Sequence, residues 1–297
     1  MSAHCPVLIL GATGLLGQAL KREATQRRRH ALGVARHAPG GFSLDLTDEA
    51  ALRALLDQSQ PALVINAAAN TALDDCERRP AEAYLINTRL PGVLARLCSQ
   101  RGIRLVHVST DHYYCGRSNQ LHDERHPVVL VNEYARGKYA AEALVATCPD
   151  ALILRTNIVG FRGWPDRPTF AEWALDALQT GNPFNGYSDM WTSSIDVDHF
   201  AAALFDLVDL GAAGVLNVAA REATSKLEFI QALAVALGLD ASIVRPTRLV
   251  SQCGTARANA LGLDVSRAEA LLGRRLPGAA EVTAALAHVH QELTHEA

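Results

Sequence analysis

Along the first half of the chain, short apolar runs alternate with longer stretches in which apolar residues return every three or four positions. The short runs are Val7–Leu10, Ala31–Ala35, Leu63–Asn66, Leu105–Ser109 and Leu152–Arg155, a pattern that fits strands buried on both faces. Between them, helical spacing marks Gly14–Arg28, Asp48–Gln58, Asp74–Arg101 with Pro91 as its candidate break, and Tyr134–Thr147. Strand and helix in alternation predict βαβ units. Right-handed crossovers stack these into a Rossmann-like, doubly wound parallel α/β sheet with its ligand crevice at the carboxyl ends of the strands. After Gly160 the rhythm changes. Trp164–Pro183 sets Pro, Gly and Trp around one helical stretch, and further helices at Val197–Leu210, Ser225–Leu237 and Glu281–Glu292 are parted by irregular chain. Residues 1–160 are expected to form the main domain and 161–297 a smaller portion, partly interleaved with it because Gly214–Val218 again reads as a buried strand.

Composition narrows the partners. At 297 residues and 49% hydrophobic, the chain can bury a full core. A net charge of −3 with no long Lys/Arg block argues against nucleic acid and makes a small molecule the expected partner. The first apolar run ends at Gly11, far short of a membrane span, and the residues before it lack the features of a signal peptide, so a cytoplasmic protein without membrane contact is expected. Cys5, Cys76, Cys98, Cys115, Cys148 and Cys253 show neither C-x-x-C nor zinc spacing, which predicts reduced thiols in or near the core and no metal site.

Candidate chemistry starts where the first strand ends. Val7–Leu10 runs into Gly11-Ala12-Thr13-Gly14-Leu15-Leu16-Gly17, three glycines in G-x-x-G-x-x-G spacing at the mouth of a helix. Gly11 suits the tight turn, Gly14 the approach of backbone N–H groups to a pyrophosphate, and Gly17 close packing of helix on strand, with Thr13 and Leu15 lining the same turn. Residues 1–160 are thus expected to bind a dinucleotide and 161–297 mainly the substrate. The second strand ends in Arg36, a fork for a 2′-phosphate, which favours NADPH over NADH. Asp45 and Leu46 are candidates for the adenine side.

Tyr134 and Lys138 stand four residues apart, on one face if that stretch is helical. A ketone gaining hydride needs a proton donor. A phenol serves near neutral pH only if its anion is stabilised by roughly 4 kcal/mol, which the Lys138 ammonium and a cationic nicotinamide ring can share. The strand Leu105–Ser109 ends in Ser109-Thr110-Asp111, hydroxyls placed to hold a substrate oxygen at the ligand edge of such a sheet.

Taken in order, these motifs resemble the extended short-chain dehydrogenase/reductase superfamily and, within it, the dTDP-4-dehydrorhamnose reductase family. Further matches are Asn66-Ala67-Ala68-Ala69-Asn70-Thr71-Ala72-Leu73-Asp74, Asn87, Leu154-Arg155-Thr156 and Gly262-Leu263-Asp264-Val265-Ser266. The resemblance implies hydride transfer from NADPH or NADH to C4 of a 4-keto-6-deoxy sugar nucleotide. It implies that Ala67, Ala68, Ala69 and Asn87 line the cofactor, that Thr110 rather than Ser109 holds the keto oxygen, that Tyr134 protonates it, and that Lys138 binds the nicotinamide ribose. A homodimer is a family expectation. The chain departs from the family at His112-Tyr113-Tyr114-Cys115-Gly116, at Asn157-Ile158-Val159 and at Asp189–Ser194.

Asp111, His112, Tyr113, Asn157 and Trp191 are candidate substrate contacts, since they fall in or beside loops at the expected mouth. Arg155 suits either a pyrophosphate or a strand-end ion pair, and the Arg27-Arg28-Arg29-His30 run reads as a solvated helix end. Two other functions use the same residues: a sugar-nucleotide epimerase or dehydratase, and a non-catalytic NADP-binding regulatory subunit.

Overall fold

The computed structural model describes residues 6–37, 40–249 and 254–295. Two compact units share the chain. One takes residues up to Thr110, then Leu130–Arg155 and Leu204–Leu216, and the other takes Asp111–Val129, Thr156–Ala203 and Asn217 onward. The sequence suggests a boundary near residue 160 with part of the later chain, around Gly214–Val218, returning to the first domain; the chain changes unit five times, and residues 204–216 complete the first unit from far downstream.

The first unit holds a seven-stranded sheet: β1 (Val7–Leu10), β2 (Ala31–Ala35), β3 (Phe42–Ser43), β4 (Leu63–Asn66), β5 (Arg104–Val108), β6 (Leu152–Arg155) and β7 (Gly214–Asn217). Its order is β3-β2-β1-β4-β5-β6-β7, and the pairs from β3 through β6 are parallel. This is a doubly wound Rossmann-type α/β sheet whose direction of winding reverses between β1 and β4. The helices that dress it are α1 (Leu15–Gln26), α2 (Glu49–Ser59), α3 (Leu73–Arg78), α4 (Pro80–Tyr84), α5 (Leu90–Arg101) and α6 (Glu133–Val145). Leu52, Leu55 and Leu56 of α2 and Leu94, Leu97 and Cys98 of α5 pack on Leu8, Leu10, Val34, Val64, Leu105 and Ile153 of the strands.

The expected helix Asp74–Arg101 breaks at Arg79, ahead of Pro80, and runs on through Pro91. A π-helical turn at Leu85–Arg89 carries it there, with Leu90 N–H bonding Leu85 O five residues back. Pro91 then falls at the start of a new α-helical segment, where its missing N–H costs nothing. The Arg run at 27–29 is tied down: Arg27 bonds Glu23 (2.6 Å) and Asp206 (2.7 Å), Arg29 bonds Asp209, and both guanidinium groups lie over the Phe205 ring.

The second unit has its own core, in which Ala171, Ala174 and Leu178 of helix Phe170–Gln179 meet Phe229, Ile230 and Leu233 of helix Lys226–Leu237 and Val282 and Leu286 of helix Ala279–His295. Its strands are short. Trp191–Thr192 lies between Thr224–Ser225 and Ala260–Leu263, with Leu121–His122 beyond, and Asn157–Val159 pairs with Ser194–Asp196. Cys76, Cys98 and Cys148 are buried, and burial pushes the Cys98 thiol up to about 12; Cys115, against expectation, is exposed. Cys5 and Cys253 lie outside the described residues. Among the described residues no helix is long and apolar enough to cross a membrane, and no cluster of His, Cys, Asp and Glu is arranged to hold a metal.

Candidate active site

At the end of β1 the chain turns on Gly11, whose φ of +81° lies in the left-handed region; a Cβ there would come within 2.9 Å of Ala68 N. At Gly17 a Cβ would sit 2.2 Å from Gly11 O, so strand end and helix start touch through glycine. Gly11 and Ala12 N–H groups both donate to Val34 O, and Gly14 N–H donates to Gly11 O at 3.0 Å. α1 then starts at Leu15 with Gly14 as its N-cap, no side chain capping it and no acidic residue in the first turn. Backbone N–H groups and the positive end of the helix dipole are thereby left to an anion. Thr13, Gly14 and Leu15 are half-buried around this turn.

Arg36 is exposed just beyond β2. Asp45 is exposed too, and the Thr47 N–H and hydroxyl, with the charge of Arg36, hold its carboxyl below the usual range. The Leu46 side chain is buried and joins the core cluster of the sheet. Ala67, Ala68 and Ala69 are half-buried in the loop after β4. Asn87, in the π-helical turn, clamps that loop from behind: Oδ1 accepts from Asn70 N–H (2.8 Å) and Nδ2 donates to Asn70 O (2.9 Å).

Asn132 caps α6 by accepting from Ala135 N–H at 2.8 Å, and the helix buries Tyr134 and Lys138 on one face. Lys138 Nζ donates to Val108 O at 2.7 Å and lies 3.1 Å from His107 Nε2, while His107 Nδ1 lies 3.1 Å from Asn66 Nδ2. One turn on, Glu142 accepts from Ser109 Oγ at 2.6 Å and from Arg155, whose NH2 group approaches to 2.7 Å. Arg155 therefore belongs to a buried ion pair. The register explains both contacts: residues two apart on a strand and four apart on a helix each span about 6 to 7 Å, so His107 and Ser109 meet Lys138 and Glu142 in step. Thr110 is buried beside them in sequence. Burial pushes Lys138 down to about 8 against the pull of Glu142, and burial followed by the Lys138 charge holds His107 well below its ordinary range. His107 and Glu142 make these contacts although motif spacing did not single them out, while Asn66 stands at the head of the Asn66–Asp74 match. The polar His107 between Val106 and Val108 was the available signal.

In the second unit, Asp111 is buried and its Oδ2 accepts from Asn157 Nδ2 at 2.9 Å; Asn157 Oδ1 accepts from Ser194 Oγ at 2.8 Å, and Ser194 shares a 2.9 Å bond with Thr192. His112 is pushed down to about 4 by burial and by the charges of Lys226 and Arg257. Lys226, which the sequence reading missed, is pushed down to about 8 by burial while Asp111 draws it up, and its Nζ lies 4.2 Å from the centre of the Phe170 ring. Two placements differ from the exposed loop positions expected. Tyr113 is fully buried, edge-to-face with Tyr114 and fixed through its carbonyl to Val129 N–H at 2.7 Å. Trp191 is half-buried in a strand paired with Ser225 and Ala260 rather than in a loop.

A parallel sheet that opens on this glycine turn and carries Tyr-x-x-x-Lys on the helix against β5 is the frame of an extended short-chain dehydrogenase/reductase, an NAD(P)-dependent oxidoreductase. Residues 5–292 match the family model described as the RmlD substrate binding domain. A probable low-salt glycan biosynthesis reductase, Agl14, of Haloferax volcanii is 31% identical over 94% of this chain and 96% of its own. A dTDP-4-dehydrorhamnose reductase of Mycobacterium tuberculosis is 33% identical over 81% of this chain and 78% of its own. Among solved structures, the dTDP-4-dehydrorhamnose reductase of Bacillus anthracis in complex with NADP superposes with a TM-score of 0.85 at 22% identity, covering 96% of this chain and 98% of that one. The chain belongs to the RmlD, or dTDP-4-dehydrorhamnose reductase, family.

Proposed function

We propose that this protein reduces the 4-keto group of a 4-keto-6-deoxy sugar nucleotide with NADPH, Tyr134 giving the proton. The observation that carries this reading is the turn of α6 holding Tyr134 and Lys138, fixed against β5 through the 2.7 Å bond from Lys138 Nζ to Val108 O, where the strand runs out into Ser109 and Thr110. The residues present fit the cofactor. Gly11 and Gly17 leave a turn that any side chain would fill, the start of α1 is open to a pyrophosphate, and exposed Arg36 suits a 2′-phosphate; the Bacillus anthracis relative carries NADP. Ala67–Ala69 would line the bound cofactor, with Asn87 holding that loop in place.

Bound there, the cofactor supplies hydride to the keto carbon. Thr110 would steady the keto oxygen, a role that Ser109 cannot share because its hydroxyl is committed to Glu142. Tyr134 would then donate its phenolic proton as alkoxide charge develops, and Lys138 would bind the ribose and stabilise the tyrosinate. For the substrate, Asp111 with its Asn157–Ser194 chain, half-buried Trp191, His112 and Lys226 offer the polar and aromatic groups of a sugar-nucleotide site. Oxidation of NADPH in the presence of a panel of 4-keto-6-deoxy sugar nucleotides is the test. The expected result is turnover with at least one of them, reduced by about 100-fold or more in Tyr134→Phe with NADPH binding kept. Binding without turnover across the panel would favour a regulatory subunit, and full activity of Tyr134→Phe would remove Tyr134 as the acid.

A further inference from the structure

Behind Tyr134 and Lys138 runs a buried chain of hydrogen bonds that the proposed reaction uses only at its Lys138 end. Ala68 N–H donates to Asn66 Oδ1 (3.2 Å), Asn66 Nδ2 faces His107 Nδ1 (3.1 Å), His107 Nε2 faces Lys138 Nζ (3.1 Å), and Nζ donates to Val108 O (2.7 Å). Asn66, His107 and Lys138 are each 1% exposed or less, so water does not compete for these links. Each link dictates the next. A backbone N–H only donates, so Asn66 turns its oxygen to Ala68 and its NH2 group to His107. An amide NH2 group only donates, so His107 Nδ1 is bare and the neutral ring carries its proton on Nε2. That proton points at Lys138 Nζ and finds an acceptor there only when Lys138 is a neutral amine. Opposite an ammonium, two donors would face each other. Moving the ring proton to Nδ1 passes the conflict to Asn66, and turning the Asn66 amide passes it to Ala68 N–H.

We infer that Asn66 and His107 are positioning residues that set the protonation of Lys138 and couple it to the loop at Ala68. The amine form of Lys138 completes the chain of bonds as it stands, and the ammonium form requires a rearrangement that reaches the loop. The low position of Lys138, about 8, agrees with this, as does the neutral state of His107. Few other charges bear on the amine. Glu142, on the same helix, is already engaged by Arg155 and Ser109; from α3, Cys76 packs on Tyr134 and burial pushes its thiol up to about 11, while Glu77 accepts from Glu133 N–H; and the π-helical turn offers the uncharged Asn87 and Thr88. The coupling matters to catalysis through the reading of Lys138 and the Ala67–Ala69 loop as cofactor contacts, on which that part rests.

The test is NMR of the full chain without cofactor or substrate, labelled with ¹⁵N in its histidine rings and backbone and titrated from pH 6.5 to 10. The His107 signals are identified, among eleven histidines, by their loss in His107→Gln. At the alkaline end His107 should carry its proton on Nε2 with Nδ1 bare, and its ring and the Ala68 amide should titrate together with one midpoint near 8. In Asn66→Asp a carboxylate accepts from both Ala68 N–H and His107 Nδ1–H, freeing Nε2 to accept from the ammonium, so the midpoint should rise by about one unit or more, a tenfold change in proton affinity. In His107→Gln the Ala68 amide should no longer follow the titration. A proton on Nδ1 at high pH, or an Ala68 titration that survives His107→Gln, overturns the coupling, as does a folded Asn66→Asp with an unmoved midpoint. Failure of NADPH to bind would instead sink the proposed function and leave these signals as they are.

Discussion

At Gly17 the first helix has no room for a single methyl group. Its nearest neighbours would be Gly11 O at 2.2 Å and Ala12 Cα at 2.6 Å, both backbone atoms of the turn itself. A flexible side chain could swing aside, but a strand end cannot, so Gly17→Ala should cost about 3 kcal/mol or more in urea denaturation and weaken NADPH binding with it. A loss below about 1 kcal/mol would mean that the close approach is not maintained in solution. Residues of this kind were legible in advance because their chemistry admits few uses: three glycines at a strand end, or a phenol and an amine four apart. Tyr113 and Leu46 were not, since an aromatic or a leucine beside a loop serves equally for packing or for contact, and only its neighbours decide. Arg155 shows the same ambiguity settled by Glu142, a carboxylate thirteen residues upstream that no motif connects with it.

Elements do what single residues cannot, which is to bring β5 and α6 into register. Both Tyr134 and Lys138 ride on α6, and Asn132 fixes where that helix begins. Asn132→Ala should lower stability by about 1 kcal/mol. Because Tyr134 sits in the first turn, which would fray, kcat should fall more than KM rises; equal effects on both would argue that the cap serves folding alone. Five strands of the sheet, β1, β2, β4, β5 and β6, could be read almost residue for residue, each being a largely buried run of four or five mostly apolar positions. The paired strands of the second unit could not, because two to four residues give no period to detect, and pairing partners such as Trp191 and Ala260 are far apart in sequence. The break at Arg79 was missed for another reason: Pro91 drew attention as a helix breaker, yet the π-helical turn before it had already absorbed its missing N–H.

For the molecule as a whole, the first unit depends on a piece of chain that arrives late. Residues 204–216 supply most of strand β7, the carbonyl of Ala212 that takes a bond from Arg104 at 2.6 Å, and Asp206 for Arg27. A fragment ending at residue 160 would hold the glycine turn, Tyr134 and Lys138 but lack all of these. Such a fragment should aggregate or give a poorly dispersed amide spectrum, whereas a cooperative unfolding transition from it would show that the edge strand is dispensable.

The same dependence sets a clock during synthesis. About sixty residues separate the end of β6 from the start of β7, and a ribosome takes roughly 3 to 12 s to add them. Throughout that interval six strands stand ready with the edge of β6 unpaired, a surface that neighbouring nascent chains could extend. The yield of soluble enzyme should therefore respond to the pace of translation between Thr156 and Gly214, even when synonymous codons leave every residue unchanged.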